Sequence, residues 1–193
     1  MQFTTTEFDG GGSAAVVIPA KTLNLVGRSF DSDAIAVTIG TAHVQFAQEN
    51  TVITSRIIDD PYPNYESVIP LDNEKKMIIG RKPLIESVKR VLLFSNSLTK
   101  QIRFKLSAGA LRVSAEDVDA GGEAKEDLPC TYGAGDMEIG FNGRFVEDAL
   151  GHLDSDDVEF SFSLPTRACI MRPVGGDERH TTLMLVMPVR LNG

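Results

Sequence analysis

The 193-residue chain reads as an α+β protein with antiparallel sheets, and three features of the sequence predict this. One order of elements recurs three times, the strand segments alternate apolar and polar residues, and each recurrence holds one short amphipathic helix. A sheet with one dry face needs a layer to cover it, so the helices are expected on one side and the sheets on the other.

Each unit runs from a short β-rich segment ending in Pro or Gly, through a helix of about ten residues, to two or three strands. In the first, "AAVVIP" leads into "AKTLNLVGRSF" and then "AIAVTIG", "AHVQFA" and "TVITSRII". The polar turns at Gly40-Thr41 and Gln48-Glu49-Asn50 mark hairpins. Leu23, Val26 and Phe30 are spaced for a helical stripe, but Gly27 weakens that helix by ~1 kcal/mol relative to Ala. In the second unit, "KKMIIG" leads into "RKPLIESVKRVLLFS", then "KQIRFKLS", "ALRVSAE" and "EAKEDLPCTY". Its helix carries Leu84, Ile85, Val88, Val91 and Leu92 on one face, and Pro83 suits the first turn. In the third, "DMEIGF" leads into "NGRFVEDALGHL", then "DVEFSFSL", "RACIMRP" and "TTLMLVMPV". Asn142 is the expected N-cap, and Val146, Ala149, Leu150 and Leu153 form the stripe. Along "VEFSFS", Val158, Phe160 and Phe162 are expected to face the core, with Glu159, Ser161 and Ser163 facing water. "DDPYPNYESVIPLDNEKK" is too polar and proline-rich for core, and marks the expected domain boundary.

Composition excludes several function classes. A net charge of −8 argues against a surface that coats nucleic acid all over, while leaving room for a local basic patch. No run approaches the ~20 apolar residues of a membrane span, and the first residues lack the pattern of a signal peptide. Cys130 and Cys169 match no metal or redox spacing, and read as reduced thiols of a cytoplasmic protein. His43, His152 and His180 are scattered, and Gly10–Gly12 has no phosphate-cradle lysine after it. Asp154, Asp156 and Asp157 lack the glycine and closing glutamate of a calcium loop. Glu116, Asp117 and Asp119 have no partner base. Neither catalysis nor a cofactor or metal is expected.

Positive charge gathers on the helices. Arg81, Lys82, Lys89 and Arg90 lie on or beside the second, Lys21 and Arg28 on the first, and Arg144 on the third. Most fall off the apolar stripes. One reading is an ordinary solvated helix face; the other is a surface that meets the phosphates of a polyanion without reading its bases.

Four phrases together resemble the bacterial sliding clamp, the β subunit of DNA polymerase III: "YPNYESVIP", "MEIGFNGRFVEDAL", the terminal "LMLVMPVRL", and the helix phrase ending "LLFSNS". They occur in the same order and at matching spacing over nearly the whole chain. The resemblance implies clamp domains of paired β-α-β units, with sheets outside and helices lining a hole around double-stranded DNA. Residues 1–70 would then be the C-terminal half of a middle clamp domain, and 71–193 a complete C-terminal domain. In the full-length family two chains close head to tail into a homodimeric ring, and Leu93 and Phe94 match the apolar pair at its subunit interface, whose partner surface the resemblance places on a first domain outside this sequence. Its partners would be the DNA polymerase III alpha subunit, the clamp loader and other proteins bearing short apolar clamp-binding motifs.

For those motifs the resemblance implies a pocket between the two domains. The matching positions are Pro63, Ser67, Val68, Thr99, Asn142, Phe145, Thr166 and Ala168, with Leu185, Val186, Met187, Pro188, Val189, Arg190 and Leu191 in the tail. Ser67 stands where some relatives carry Arg, and Thr99 where many carry a larger apolar residue. Read physically, a polarizable Met beside Val, Pro and Leu makes an adaptable apolar wall. Leu183 and Leu185 are expected in the core, leaving the alternate face and Pro188–Leu191 for a partner. The other functional class is a structural repeat module with no binding activity of its own.

Overall fold

Each recurring unit folds as a helix followed by an antiparallel meander. A computed structural model describes residues 15–31, 34–175 and 182–191, and the chain divides into two units, Met1–Asn64 and Tyr65–Gly193. Gly10–Gly12, His180 and Thr181 lie outside the described residues.

In the first unit, α1 (Ala20–Ser29) starts after Pro19 without a side-chain cap. It is followed by β1 (Ala36–Ile39), β2 (His43–Gln48) and β3 (Thr51–Arg56), ordered β1-β2-β3 with antiparallel pairing. The expected leading strand "AAVVIP" makes only an isolated bridge, Val17 to Ile58. The buried core is small: Val26, Val44 and Phe46, with Ile18, Phe30, Ile35, Ile53 and Ile57 half-buried against them. Leu23, expected on the buried stripe, is exposed.

The second unit contains two such repeats. One runs β4 (Lys75–Gly80), α2 (Arg81–Leu92), β5 (Gln101–Ser107), β6 (Ala110–Asp117), β7 (Gly122–Pro129) and β8 (Thr131–Tyr132). The other runs β9 (Met137–Asn142), α3 (Gly143–Gly151), β10 (Asp157–Phe162), β11 (Cys169–Pro173), β12 (Met184–Val186) and β13 (Pro188–Val189). Their leading strands are exchanged: β4 pairs with β10, and β9 with β5. Two five-stranded sheets result, β12-β11-β10-β4-β8 and β13-β9-β5-β6-β7. No helix among the described residues is long and apolar enough to cross a membrane.

The two helices pack on each other and on the sheets, closing one core that includes Met77, Leu84, Val88, Phe104, Leu106, Phe141, Leu150 and Phe160. Phe104 and Phe141 meet edge to face, with centroids 5.4 Å apart. Asn142 caps α3 as expected, its side chain accepting the Arg144 N–H at 3.0 Å. Leu153 lies just past α3 but is buried. A Cβ on Gly143 would sit 2.6 Å from Leu92 Cδ2, so the first turn of α3 presses directly on α2.

Two expectations fail here for identifiable reasons. Ser161 is buried, not solvated, because it pairs with Ile170 where the face of β10 and β11 opposite the core is also covered. The last strand is not continuous: β12 pairs with β11, the ladder breaks at Met187, and Pro188–Val189 join β9 in the other sheet. Proline has no N–H to extend the β12 ladder, so the chain changes sheets there. The facing is also reversed. Val186 enters the core at 4% exposure, while Leu185 pairs with Ile170 outside the core cluster.

Candidate functional site

The crossing of the tail from one sheet to the other sets the geometry of the site. Val186 anchors the end of β12, Met187 stands 59% exposed at the crossing, and β13 is held by Pro188 opposite Phe141 and Val189 opposite Gly140. Leu191 then folds back on Gly140; a Cβ there would lie 2.8 Å from Leu191 Cδ2 and 2.8 Å from the Val189 carbonyl oxygen. Arg190 is exposed beside the half-buried Leu191. Gly140 is a residue that motif reading missed. Its signal is indirect: a glycine in an otherwise bulky buried strand marks close approach of another backbone.

The second unit also holds most of the other expected residues. Asn142, next to the β13 partner Phe141, donates from Nδ2 to the Thr99 carbonyl at 3.2 Å. It therefore ties the start of α3 to the loop that follows α2. Ala168 is buried beside β11, and Thr166 is exposed on the turn before it. Ser67 and Val68 sit on a single 3-10 turn, Tyr65–Val68, with Val68 exposed. Pro63 belongs to the first unit and is exposed. Phe145, 63% exposed on α3, lines a groove of about 610 Å³ that also includes Ile85, Lys89 and His152.

Asn73 was also missed, hidden in a segment that reads as polar linker. Its Nδ2 donates to the carbonyls of Ser161 and Ala168, each at 2.9 Å. The pair Arg167–Asp72 closes beside it. Among the described residues, Asn73 Oδ1 and Ser163 Oγ are buried with no hydrogen-bond partner. A buried polar atom left so costs ~1–3 kcal/mol unless water or a ligand reaches it.

The helix cations separate into two groups. Arg81 turns inward, Nε donating to the Ser155 carbonyl at 2.7 Å and Nη1 to the Leu150 carbonyl at 3.4 Å, so its charge caps the end of α3. Arg90 forks onto Glu126 of β7 with two 2.7 Å bonds, and Lys89 lies 3.9 Å from Glu147. Lys21, Arg28, Lys82 and Arg144 are exposed and have no ion pair among the described residues. The Arg90 fork holds the Glu126 carboxyl below the usual glutamate range. Lys105 and then Arg103 do the same for Glu138, and Arg112 for Asp127. Burial pushes the Cys169 thiol up, well out of the range of a nucleophile.

Leu93 is 80% exposed at the end of α2, and Phe94 is exposed near Gly122 of the edge strand β7.

Comparison with known proteins places this geometry among relatives. Residues 66–190 match the family model "DNA polymerase III beta subunit, C-terminal domain", and residues 2–64 match the central domain of the same subunit. The beta sliding clamp of Pseudomonas aeruginosa is 29% identical over 178 residues, covering 91% of this chain and 47% of the relative. A crystal structure of the DNA polymerase III subunit beta from that organism superposes with a TM-score of 0.84 at 29% identity, over 91% of this chain and 48% of the other. The sliding clamp of Bartonella birtlesii bound to griselimycin gives 0.82 at 30% identity, covering 91% and 47%. The chain thus spans about half the length of the curated relatives it matches. With both family models falling in order and the fold matching throughout, the chain belongs to the DNA polymerase III beta subunit family, the bacterial sliding clamps.

Proposed function

We propose that the chain serves as a non-catalytic tether in DNA replication. Its second unit captures short apolar peptide segments along the C-terminal tail, and its free helix cations rest against duplex DNA without reading sequence. The peptide reading is carried by the tail crossing: Met187 is exposed between two strands that are each fixed to a different sheet. A flexible thioether on a rigid frame suits partners of varied shape. Polar groups lie in the same unit: Arg190 on the tail and Asn142 at the start of α3. Burying one Leu or Phe anchor of a peptide contributes ~1.5–3 kcal/mol, so two anchors less their ordering costs give a weak, exchangeable complex.

The test is a titration of a fluorescent peptide bearing two apolar anchors against the parent chain, Met187→Ala and Leu191→Ala. Affinity is expected to fall by roughly tenfold or more in each variant, the equivalent of ~1.4 kcal/mol. Griselimycin, found bound to the Bartonella relative, is expected to displace the peptide. Equal affinity of all three proteins would sink the assignment.

A further inference from the structure

Where the tail leaves β11, two side chains from the segment before β4 take hold of the strand it leaves. β11 pairs with β12 at Cys169–Val186, Ile170–Leu185 and Met171–Met184. Carried one and two steps further, that register sets Ala168 opposite Met187 and Arg167 opposite Pro188, by which point the tail has turned to β9. Arg167 and Ala168 are held instead by residues about ninety-five positions earlier in the same unit. Asn73 Nδ2 donates to the Ala168 carbonyl at 2.9 Å, and Asp72 pairs with Arg167.

The Asn73 amide also spans two strands. The same Nδ2 donates to the Ser161 carbonyl at 2.9 Å, so one nitrogen joins β10 to the residue that opens β11. The β10–β11 register is last paired at Ser161–Ile170, and continued it would bring Ser163 to Ala168. There the Asn73 amide supplies the tie between the strands. The turn's own bond, from the Arg167 N–H to the Leu164 carbonyl at 3.0 Å, closes the turn without fixing it to the sheet. Two carbonyl partners set the orientation of the amide, because turning it over would press Oδ1 against both oxygens. Oδ1 itself is buried with no partner among the described residues. The side chain therefore acts through its donor alone, and carries a cost that an apolar residue would not.

We propose that Asn73 is a positioning residue for peptide capture: its amide fixes Ala168, and through Ala168 the strand end against which Met187 adjusts to an apolar anchor. The assignment rests on the tail being the peptide site. Ala168 is 7% exposed and Met187 59% exposed, so a held residue faces a free one across the parted register. A flexible thioether gains affinity only where its surroundings are already ordered, since each group that must be ordered on binding subtracts from the complex. Asn73 supplies that order without touching the peptide. The Asp72–Arg167 pair supports it from the surface, where both partners are exposed and the contribution is smaller.

Methyl NMR of the full chain labelled at methionine, beside titration with the two-anchor fluorescent peptide, tests the assignment. The Met187 methyl signal, identified by its loss in Met187→Ala, is expected to shift or broaden in Asn73→Ala, while those of the core residues Met77 and Met137 stay in place. Asn73→Asp, which keeps the shape and loses the donors, is expected to do the same. Peptide affinity is expected to fall roughly tenfold in Asn73→Ala, but by no more than about twofold when that change is added to Met187→Ala, as for residues that act as a unit. A merely structural Asn73 gives a lower Tm, an unmoved Met187 signal and additive losses, and that pattern would overturn the proposal. If both Asn73 variants fail to fold, Asp72→Ala decides: it removes only the exposed pair and is expected to move the Met187 signal, and an unmoved signal there counts against the proposal equally. Weakened binding by Met187→Ala with parent affinity in Asn73→Ala overturns this proposal alone. Parent affinity in Met187→Ala removes the peptide site and, with it, anything for Asn73 to position.

Discussion

A single missing Cβ sets the path of the tail. Gly140 lies in β9 between Ile139 and Phe141, both buried, and its emptiness is filled by Leu191 and the Val189 carbonyl. Gly140→Ala is expected to destabilise the chain by ~1–3 kcal/mol, the usual cost of overpacking a close contact. Leu191 could swing aside, but the Val189 oxygen is backbone, so β13 itself must move. Thermal melts and peptide titration should therefore fall together. Adding Leu191→Ala to Gly140→Ala should recover little of either, because it relieves only the side-chain half of the clash. At this scale the sequence was legible where chemistry is local. Asn142 is read as a cap from its place before an apolar stripe, and it caps. Asn73 and Gly140 escape such reading because their partners are about ninety and fifty residues away in sequence and no local pattern reports a contact of that range.

Elements with a strong internal period were read correctly: α2 and α3 bury the stripes assigned to them, with Ile85 half-buried and Leu153 just past the helix end. The tail was misread because its pattern suits either one long strand or two short ones, and only pairing partners decide. Tertiary ties between elements are also where pH acts. Arg90 on α2 and Glu126 on β7 form an exposed fork that depresses the carboxyl below its ordinary 4.5. A depressed carboxylate contributes stability that is present above the unfolded value and is lost as pH falls through the folded one. Melting temperature should therefore drop between about pH 5 and 3. Glu126→Gln and Glu138→Gln should each flatten that drop by lowering the pH 7 value toward the acid one, the change staying small because solvent screens both groups.

At the scale of the whole molecule the question is how a chain with a net charge of −8 would hold the duplex DNA proposed as its ligand. The total repels DNA, so any attraction must come from cations that the fold leaves unneutralised. Among the helix cations, Arg81 and Arg90 are committed to α3 and Glu126 and Lys89 lies near Glu147, which leaves Lys82 and Arg144 on the second unit and Lys21 and Arg28 on the first. Few phosphates can then be neutralised from the helices, and each contributes about −0.9 to the slope of log affinity against log salt. Duplex binding is therefore expected to be weak, salt-sensitive and independent of sequence. Lys82→Glu with Arg144→Glu should remove the salt-sensitive component, measured by fluorescence anisotropy of a labelled duplex at two salt concentrations. Arg81→Met should instead lower the melting temperature and leave the salt slope unchanged. If Arg81→Met flattened the slope as much as the double reversal, the division between structural and free cations drawn from the hydrogen bonds would be wrong.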